Sequence, residues 1–438
     1  MVKRIVAVIL SVLLTVCLCG CNLFAFDTAE LLSPPALSGE LYPIAEAIKA
    51  SAGGDYSFKY PSRGNYRSAV VQEDINGDGI LEAFAFYGMT DGENQIMHIN
   101  CVTSKNGEWK SAATQKIIAG GVDKIDFCDL DNDGVKEILV GWEIYGTSEM
   151  QLAVYSMGDS SLTQRMLQKY THFTTCDLDE DDINEVLVIK TASAEQQNSA
   201  SLFALSEEGI TEISYCELDS TSKTFSEPVV ATLSTGKPAV YIDEIKGVGA
   251  VTEVLFLEKG ELVNPLFMPD TKETLSTLRS ATFNISDINN DGILEIPVQE
   301  NVPSVTRTDV NEKLYLTNWC SFNGEKLTNQ MTTMINVDDG YYYKIPAKWV
   351  GNIAVLKNTD KNLREIYRYN PEDMTVGENL LYIKAVKKED WDNGKYRANG
   401  IKEIMNDGET SFICSVSEAA EAEGITFEYV KSAFILFE

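Results

Sequence analysis

DLDNDGVKEIL, running from Asp129 to Leu139, places oxygen-bearing side chains at its positions 1, 3, 5 and 9 and a glycine at position 6. These are Asp129, Asp131, Asp133 and Glu137, with Gly134 between them. Carboxylates this close repel one another unless they are protonated, solvated or neutralised by a cation. Hard oxygen ligands at alternate positions let a tight loop wrap Ca²⁺, with a backbone carbonyl near position 7 and glycine taking the strained turn. The next residues, Ile138-Leu139-Val140, are β-rich, so the loop feeds a strand.

The phrase recurs. DINGDGILEAF supplies Asp74, Asn76, Asp78 and Glu82; DLDEDDINEVL supplies Asp177, Asp179, Asp181 and Glu185; DINNDGILEIP supplies Asp287, Asn289, Asp291 and Glu295. Gly79 and Gly292 fill the turn position, whereas the third copy has Asp182 there, which tolerates left-handed geometry less well and predicts weaker binding. A fifth copy, YIDEIKGVGAVTEVLF from Tyr241, keeps its strand ends and the acid Asp243 but has lost the ligand residues and gained one position before Glu253. It reads as the same element without its ion. Starts at 74, 129, 177, 243 and 287 suit about four strands per unit and the period of propeller blades.

An EF-hand opens in the same way but needs a bidentate Glu at position 12 and flanking helices. Position 12 here is Ala85, Val140, Val188 or Val298, each in a β-rich run, which excludes the helical version. The pattern over roughly residues 66–330 resembles the FG-GAP or VCBS repeat of integrin-α-like propellers. That resemblance implies an all-β propeller with up to four Ca²⁺ ions, each loop lying between two strands of a blade and position 9 opening the next strand. Five copies favour five blades, with six or seven left open by the longest gap. The segment Tyr66 to Gln72 is expected to close the ring by pairing with strands near Leu314 to Phe322.

The N-terminus carries Lys3 and Arg4, then an apolar run from Ile5 to Leu18, the layout of an export signal over residues 1–20. Leu18-Cys19-Gly20-Cys21 resembles the lipobox of bacterial lipoproteins, which implies diacylated Cys21 as the mature N-terminus and an extracytoplasmic, membrane-anchored protein. Residues 21–40 then form a tether, 41–65 a short helix and lead-in, 66–336 the propeller and 337–438 a small α+β domain. In the last, Tyr341 to Tyr343, Trp349 and Trp391 are read as core, because alternate strand aromatics face inward. The six remaining cysteines allow 15 pairings and show no C-x-x-C signature, so none is assigned a partner.

A formal charge of −30 disfavours nucleic acid as a partner. His98 and His172 sit in strand-like runs, and no G-x-S-x-G, H-E-x-x-H, Walker or Rossmann phrase is present. No catalytic residue is named. The expected function is a binding or scaffold protein with protein or glycan partners on the cell envelope. The alternative is an extracellular carbohydrate-active hydrolase or lyase using carboxylates outside the loops, since such pairs carry no local signature.

Overall fold

A computed structural model describes residues 39–91, 94–147, 149–158, 160–193, 197–280, 283–303, 314–358, 363–398 and 400–437. The expected leader, Cys21 and the tether up to residue 38 lie outside the described residues. Among the described residues no helix is long and apolar enough to cross a membrane. The chain divides into two compact units, one of residues up to Phe127 with Gly134–Leu167, the other of Cys128–Asp133 with Gln168 onward.

The first unit begins with helix α1, Tyr42–Ala52, which has Pro43 in its first turn and stops at Gly53 in the left-handed conformation. Strands β1 (Val70–Glu73), β2 (Glu82–Asp91), β3 (Asn94–Lys105) and β4 (Glu108–Ile118) follow, and Ser57–Phe58 joins the sheet on β2. Asn106 and Gly107, at φ 55° and 79°, make the two-residue hairpin turn between β3 and β4. Strand β2 is buried on both faces. Ala83, Ala85 and Tyr87 pack under Ile44 and Ile48 of α1, while Phe84 and Phe86 point the other way.

Those two phenylalanines meet a second sheet of β5 (Gly121–Cys128), β6 (Glu137–Glu143), β7 (Met150–Met157) and β8 (Leu162–Tyr170) through Ile138, Val140, Trp142 and Tyr155. Each such side chain contributes about 1.5–3 kcal/mol on burial. Phe86 is fully buried and in contact with the Trp142 ring, so its truncation to alanine would cost about 3–5 kcal/mol.

In the second unit β9 (His172–Cys176), β10 (Glu185–Lys190), β11 (Ser199–Ser206) and β12 (Gly209–Glu217) form an antiparallel meander. It packs on β13 (Val229–Thr232), β14 (Pro238–Lys246), β15 (Gly249–Glu258) and β16 (Glu261–Val263) through Leu187, Leu202, Val240, Ile242 and Leu255. The opposite face of β14 and β15, with Tyr241, Val254 and Phe256, meets Ile296 and Phe322 of the next sheet. Alternation along β14 therefore assigns odd residues to one neighbour and even residues to the other, the two-sided burial of stacked sheets.

That next sheet holds β17 (Ile296–Val302), β18 (Leu314–Phe322), β19 (Leu327–Asn336) and β20 (Tyr341–Lys344). The last sheet, β21 (Ile353–Asn358), β22 (Leu363–Asn370), β23 (Thr375–Lys387), β24 (Ile401–Asn406) and β25 (Thr410–Val416), carries helices α2 (Lys388–Asp392), α3 (Glu418–Ala422) and α4 (Phe427–Ala433). The chain then returns as β26 (Phe434–Leu436), which pairs with β20. Tyr341 and Tyr343 are buried in this core, as the alternation of their strand predicts, whereas Tyr342 between them is only half-buried and outside it; Trp349 joins the core from a short 3-10 turn, and Trp391 is buried in a smaller cluster beside it.

Two expectations meet a different arrangement. Residues 70–73 pair with β2 of their own sheet, and Leu314–Phe322 already has β17 on one edge and β19 on the other. Neither edge of Leu314–Phe322 remains for Tyr66 to Gln72, so that closing pair is not formed. The boundary at 336/337 falls between β19 and β20, which are hydrogen-bonded neighbours, and Leu316 and Met334 share a core with the C-terminal residues. Loss of the loop motif marks the end of the repeats, not the edge of the sheet. None of the six cysteines among the described residues forms a disulfide.

Candidate metal centres

Each repeated loop occupies the same junction. The first joins β1 to β2, the second β5 to β6 and the third β9 to β10, while the fourth runs from the bridge at Ser286 into β17. Glu82, Glu137 and Glu185 open their strands, and Glu295 pairs with Ser286 one residue before β17. Position 12 lies inside a strand in every copy, in keeping with the exclusion of an EF-hand.

The loops are organised by their own backbone amides. Asp74 accepts from the N–H groups of Gly77 at 2.8 Å and Gly79 at 2.9 Å. Asp177 does the same for Glu180 at 2.7 Å and Asp182 at 3.0 Å. Asp287 accepts from Asp291 at 3.0 Å and Gly292 at 2.9 Å. Position 5 closes the next turn, with Asp78, Asp181 and Asp291 each accepting from the amide two residues on at 2.8 Å. Position 9 reaches back to the amide of position 2: Glu82 to Ile75 at 3.2 Å, Glu185 to Leu178 at 3.0 Å and Glu295 to Ile288 at 3.1 Å. Asn76 and Asn289 accept from Asp78 and Asp291, both at 2.9 Å. In the second loop Asp129 and Asp131 accept from the amides two residues on at 3.4 and 3.3 Å, and Ser156 donates to Glu137 at 3.0 Å.

Two residues per loop are left-handed, not one. Position 6 is Gly79, Gly134, Asp182 or Gly292, and position 4 is Gly77, Asn132, Glu180 or Asn290, all at φ between 58° and 86°. The sequence reading found position 6 and passed over position 4, although Gly and Asn there were the available signal. The third loop alone has neither Gly nor Asn at either place. A side chain in this region costs roughly 1–2 kcal/mol, less for Asp.

The structure brings Asp129, Asp131 and Glu137 together in one loop and Asp177, Asp179 and Glu185 in another, with one ligand oxygen from each within 4.8 Å of the others. Asp133 and Asp181 stand outside these triads, and among the described residues the carboxylates of the first and fourth loops do not gather so closely. Those two loops carry an asparagine at position 3. Burial pushes Glu185 up to about 7, with Asp179, Asp177 and Asp181 adding to it. Glu295 is likewise raised by burial to about 7, with Asp291 and Asp287 contributing, and burial raises Glu82. Three converging carboxylates with a partly desolvated glutamate form a site that gains from a divalent cation, and their all-oxygen chemistry fits calcium.

The fifth copy meets its acids with side chains from elsewhere in the chain. Residues 238–258 form a plain hairpin in which Ile242 pairs with Glu253, so Asp243 and Glu253 stand where positions 1 and 9 stand elsewhere. Asp243 is bound by the Arg279 guanidinium at 2.6 Å, by Thr252 at 2.5 Å and by the Ile285 amide at 2.9 Å. Glu253 accepts from the Asp219 amide at 3.2 Å, in the way its counterparts accept from position 2. Asp219 itself meets Lys246 at 2.7 Å and holds the turn at Thr221 and Ser222. Burial alone would raise Asp219, but the ammonium and its hydrogen bonds hold it below the usual carboxylate range.

Residues 61–140 match the FG-GAP-like repeat. That span takes in the first two loops and the first sheet. No curated protein matches the chain. Among solved structures, the exotype rhamnogalacturonan lyase YesX superposes with a TM-score of 0.31 at 11% identity, covering 82% of this chain and 90% of its own. Bacillus licheniformis rhamnogalacturonan lyase PL11 gives 0.33 at 13%, covering 74% and 77%, and the Pseudomonas aeruginosa periplasmic gluconolactonase PpgL gives 0.30 at 12%, covering 74% and 88%. Scores at this level do not define a common architecture, and the description of the fold rests on the sheets themselves.

Proposed function

We propose that the chain is a lipid-anchored, extracytoplasmic binding or scaffold protein whose stacked sheets form a calcium-stapled β-propeller of about five blades, with six or seven left open. The observation that carries this reading is the recurrence of one loop, with the same amide-to-carboxylate pattern, at the same strand junction of successive antiparallel sheets. Calcium here staples loops and thereby strands; it supplies no chemistry to a substrate. A ring of blades presents a broad, loop-built face, and the partners proposed for it are proteins or glycans of the cell envelope.

Anchoring through Cys21 rests on the leader sequence. Two acyl chains give stable membrane attachment where one does not. Metabolic labelling with a fatty-acid analogue tests it: label should enter the wild-type chain and be absent from Cys21→Ala.

A calcium-titrated thermal melt tests the staple. The melting temperature should rise with free calcium and fall back in EDTA, whereas a melt indifferent to both would end the calcium reading. Partner capture from envelope extracts should be lost when EDTA is added. The hydrolase or lyase alternative needs carboxylates open to substrate. Glu244 and Glu253, which face each other outside the four loops, are both 0% exposed and so not open in that way.

A further inference from the structure

The fifth copy keeps one group of oxygens that neither Arg279 nor Lys246 serves. Glu244 on β14 and Glu253 on β15 are diagonal neighbours on one face, since Ile242 pairs with Glu253 and Glu244 with Val251. Both are 0% exposed. Glu253 is held by the Asn264 amide at 2.8 Å, the Thr274 hydroxyl at 2.6 Å and the Asp219 backbone N–H at 3.2 Å. The Lys246 ammonium is committed to Asp219 at 2.7 Å and Glu273 at 2.8 Å. Glu244 faces Glu253 and Ser222. Neither of its carboxylate oxygens has a hydrogen-bond partner, and the same holds for the Ser222 Oγ and Asn264 Oδ1 atoms, all of them buried.

Four unpartnered buried oxygens in one module are costly. An unmade hydrogen bond costs about 1–3 kcal/mol for a neutral group and more for a charged one. Two facing carboxylates add mutual repulsion in an interior that screens poorly. All the unserved atoms are oxygens, the two of the Glu244 carboxylate with a hydroxyl and an amide carbonyl, and the charges of Glu244 and the facing Glu253 together match a divalent ion. Calcium accepts such a mixed set at about 2.3–2.6 Å in flexible geometry.

We propose that Glu244, Glu253, Ser222 and Asn264 hold a calcium ion in the interior of the fifth copy, a site distinct from the four loops. Its ligands come from three segments, the turn after β12, the β14–β15 hairpin and the stretch after β16, so the ion would tie these segments together. Closed off from solvent, it would be captured as the module folds and would exchange slowly. This inference does not depend on the loops binding calcium.

The test counts calcium bound per chain, using the whole mature protein refolded in calcium and then washed briefly with EDTA. Wild type should retain one ion that Glu244→Gln lacks, while Asp133→Ala, which lies in a loop, retains it. Equal retention in wild type and Glu244→Gln overturns the proposal. Undiminished calcium together with higher stability of Glu244→Gln above neutral pH assigns the pair a shared proton instead, and also overturns it. Should Glu244→Gln fail to fold, Ser222→Ala removes a single hydroxyl and should release the retained ion about tenfold faster. An unchanged release rate in that variant counts against the site. Failure of the loop reading would appear separately, as an Asp133→Ala protein that binds as much loop calcium as wild type.

Discussion

The third loop and the fifth copy begin from the same phrase and handle its negative charge in opposite ways. In the loop after Asp177 three carboxylates converge, and their nearest neighbours are one another and backbone amides. In the hairpin at 238–258 the charge is met by side chains from elsewhere in the chain, Arg279 on Asp243 and, through Asp219, Lys246 on the turn beside Glu253. The third loop keeps its full length, with Glu180 and Asp182 held in the left-handed region. In the fifth copy, where the Arg279 guanidinium meets Asp243, the connection shrinks to Gly247 and Val248 between paired strands. The repeat therefore keeps its strands where its acids no longer converge, with a fixed cation, Arg279, on the acid that remains at position 1.

The largest effect expected from breaking this comparison is at Arg279. It is buried and is the partner of Asp243, so Arg279→Met should cost about 3–5 kcal/mol in urea unfolding, equally with calcium and with EDTA. A cost that appears in calcium alone would mean that the arginine does not stand in for the ion. Asp133→Ala is the counterpart in a loop. At calcium a hundredfold above the dissociation constant it should remove up to about 2.7 kcal/mol, and nothing in EDTA. Equal losses in both buffers would show that Asp133 does not act through an ion.

A pH titration of protein refolded in EDTA, so that no ion is captured at Glu244, sharpens the contrast further. Burial first, then the facing Glu253 carboxyl, raises Glu244 well above the usual carboxylate range. The folded chain therefore holds this proton more tightly than the unfolded one. Its contribution is fully present below about pH 4.5 and is lost as pH rises through the folded value. Glu244→Gln should flatten that alkaline decline, and a decline of unchanged slope would place the titrating group elsewhere. The smallest effect belongs to Asp182→Gly, which relieves a left-handed residue at φ 68° and should stabilise the third loop by about 0.5–1 kcal/mol while tightening calcium. A destabilised variant would show that the Asp182 side chain is needed where it stands.

The sequence by itself determined the loops. The ligand oxygens, the turn glycine and the strand that follows lie within twelve residues, and the geometry that joins them is made by amides of the same segment, as at Asp74 with Gly77 and Gly79. Local chemistry of this kind is legible because no distant residue is needed to complete it. Tyr341 and Tyr343 were legible for a similar reason, since the two-residue period of a strand fixes their face. Only the tertiary structure decided the rest. Arg279 lies 36 residues from Asp243, and Asp219 and Ser222 fall in a stretch with no repeat phrase, where a lone Asp before Ser and Thr was the sole hint of a turn. The continuation of one sheet through residues 336 and 337, and its last strand at Phe434–Leu436, likewise depend on which edges remain free after the earlier strands have paired. Edge availability and long-range charge matching are properties of the folded chain, and no window of sequence contains both partners.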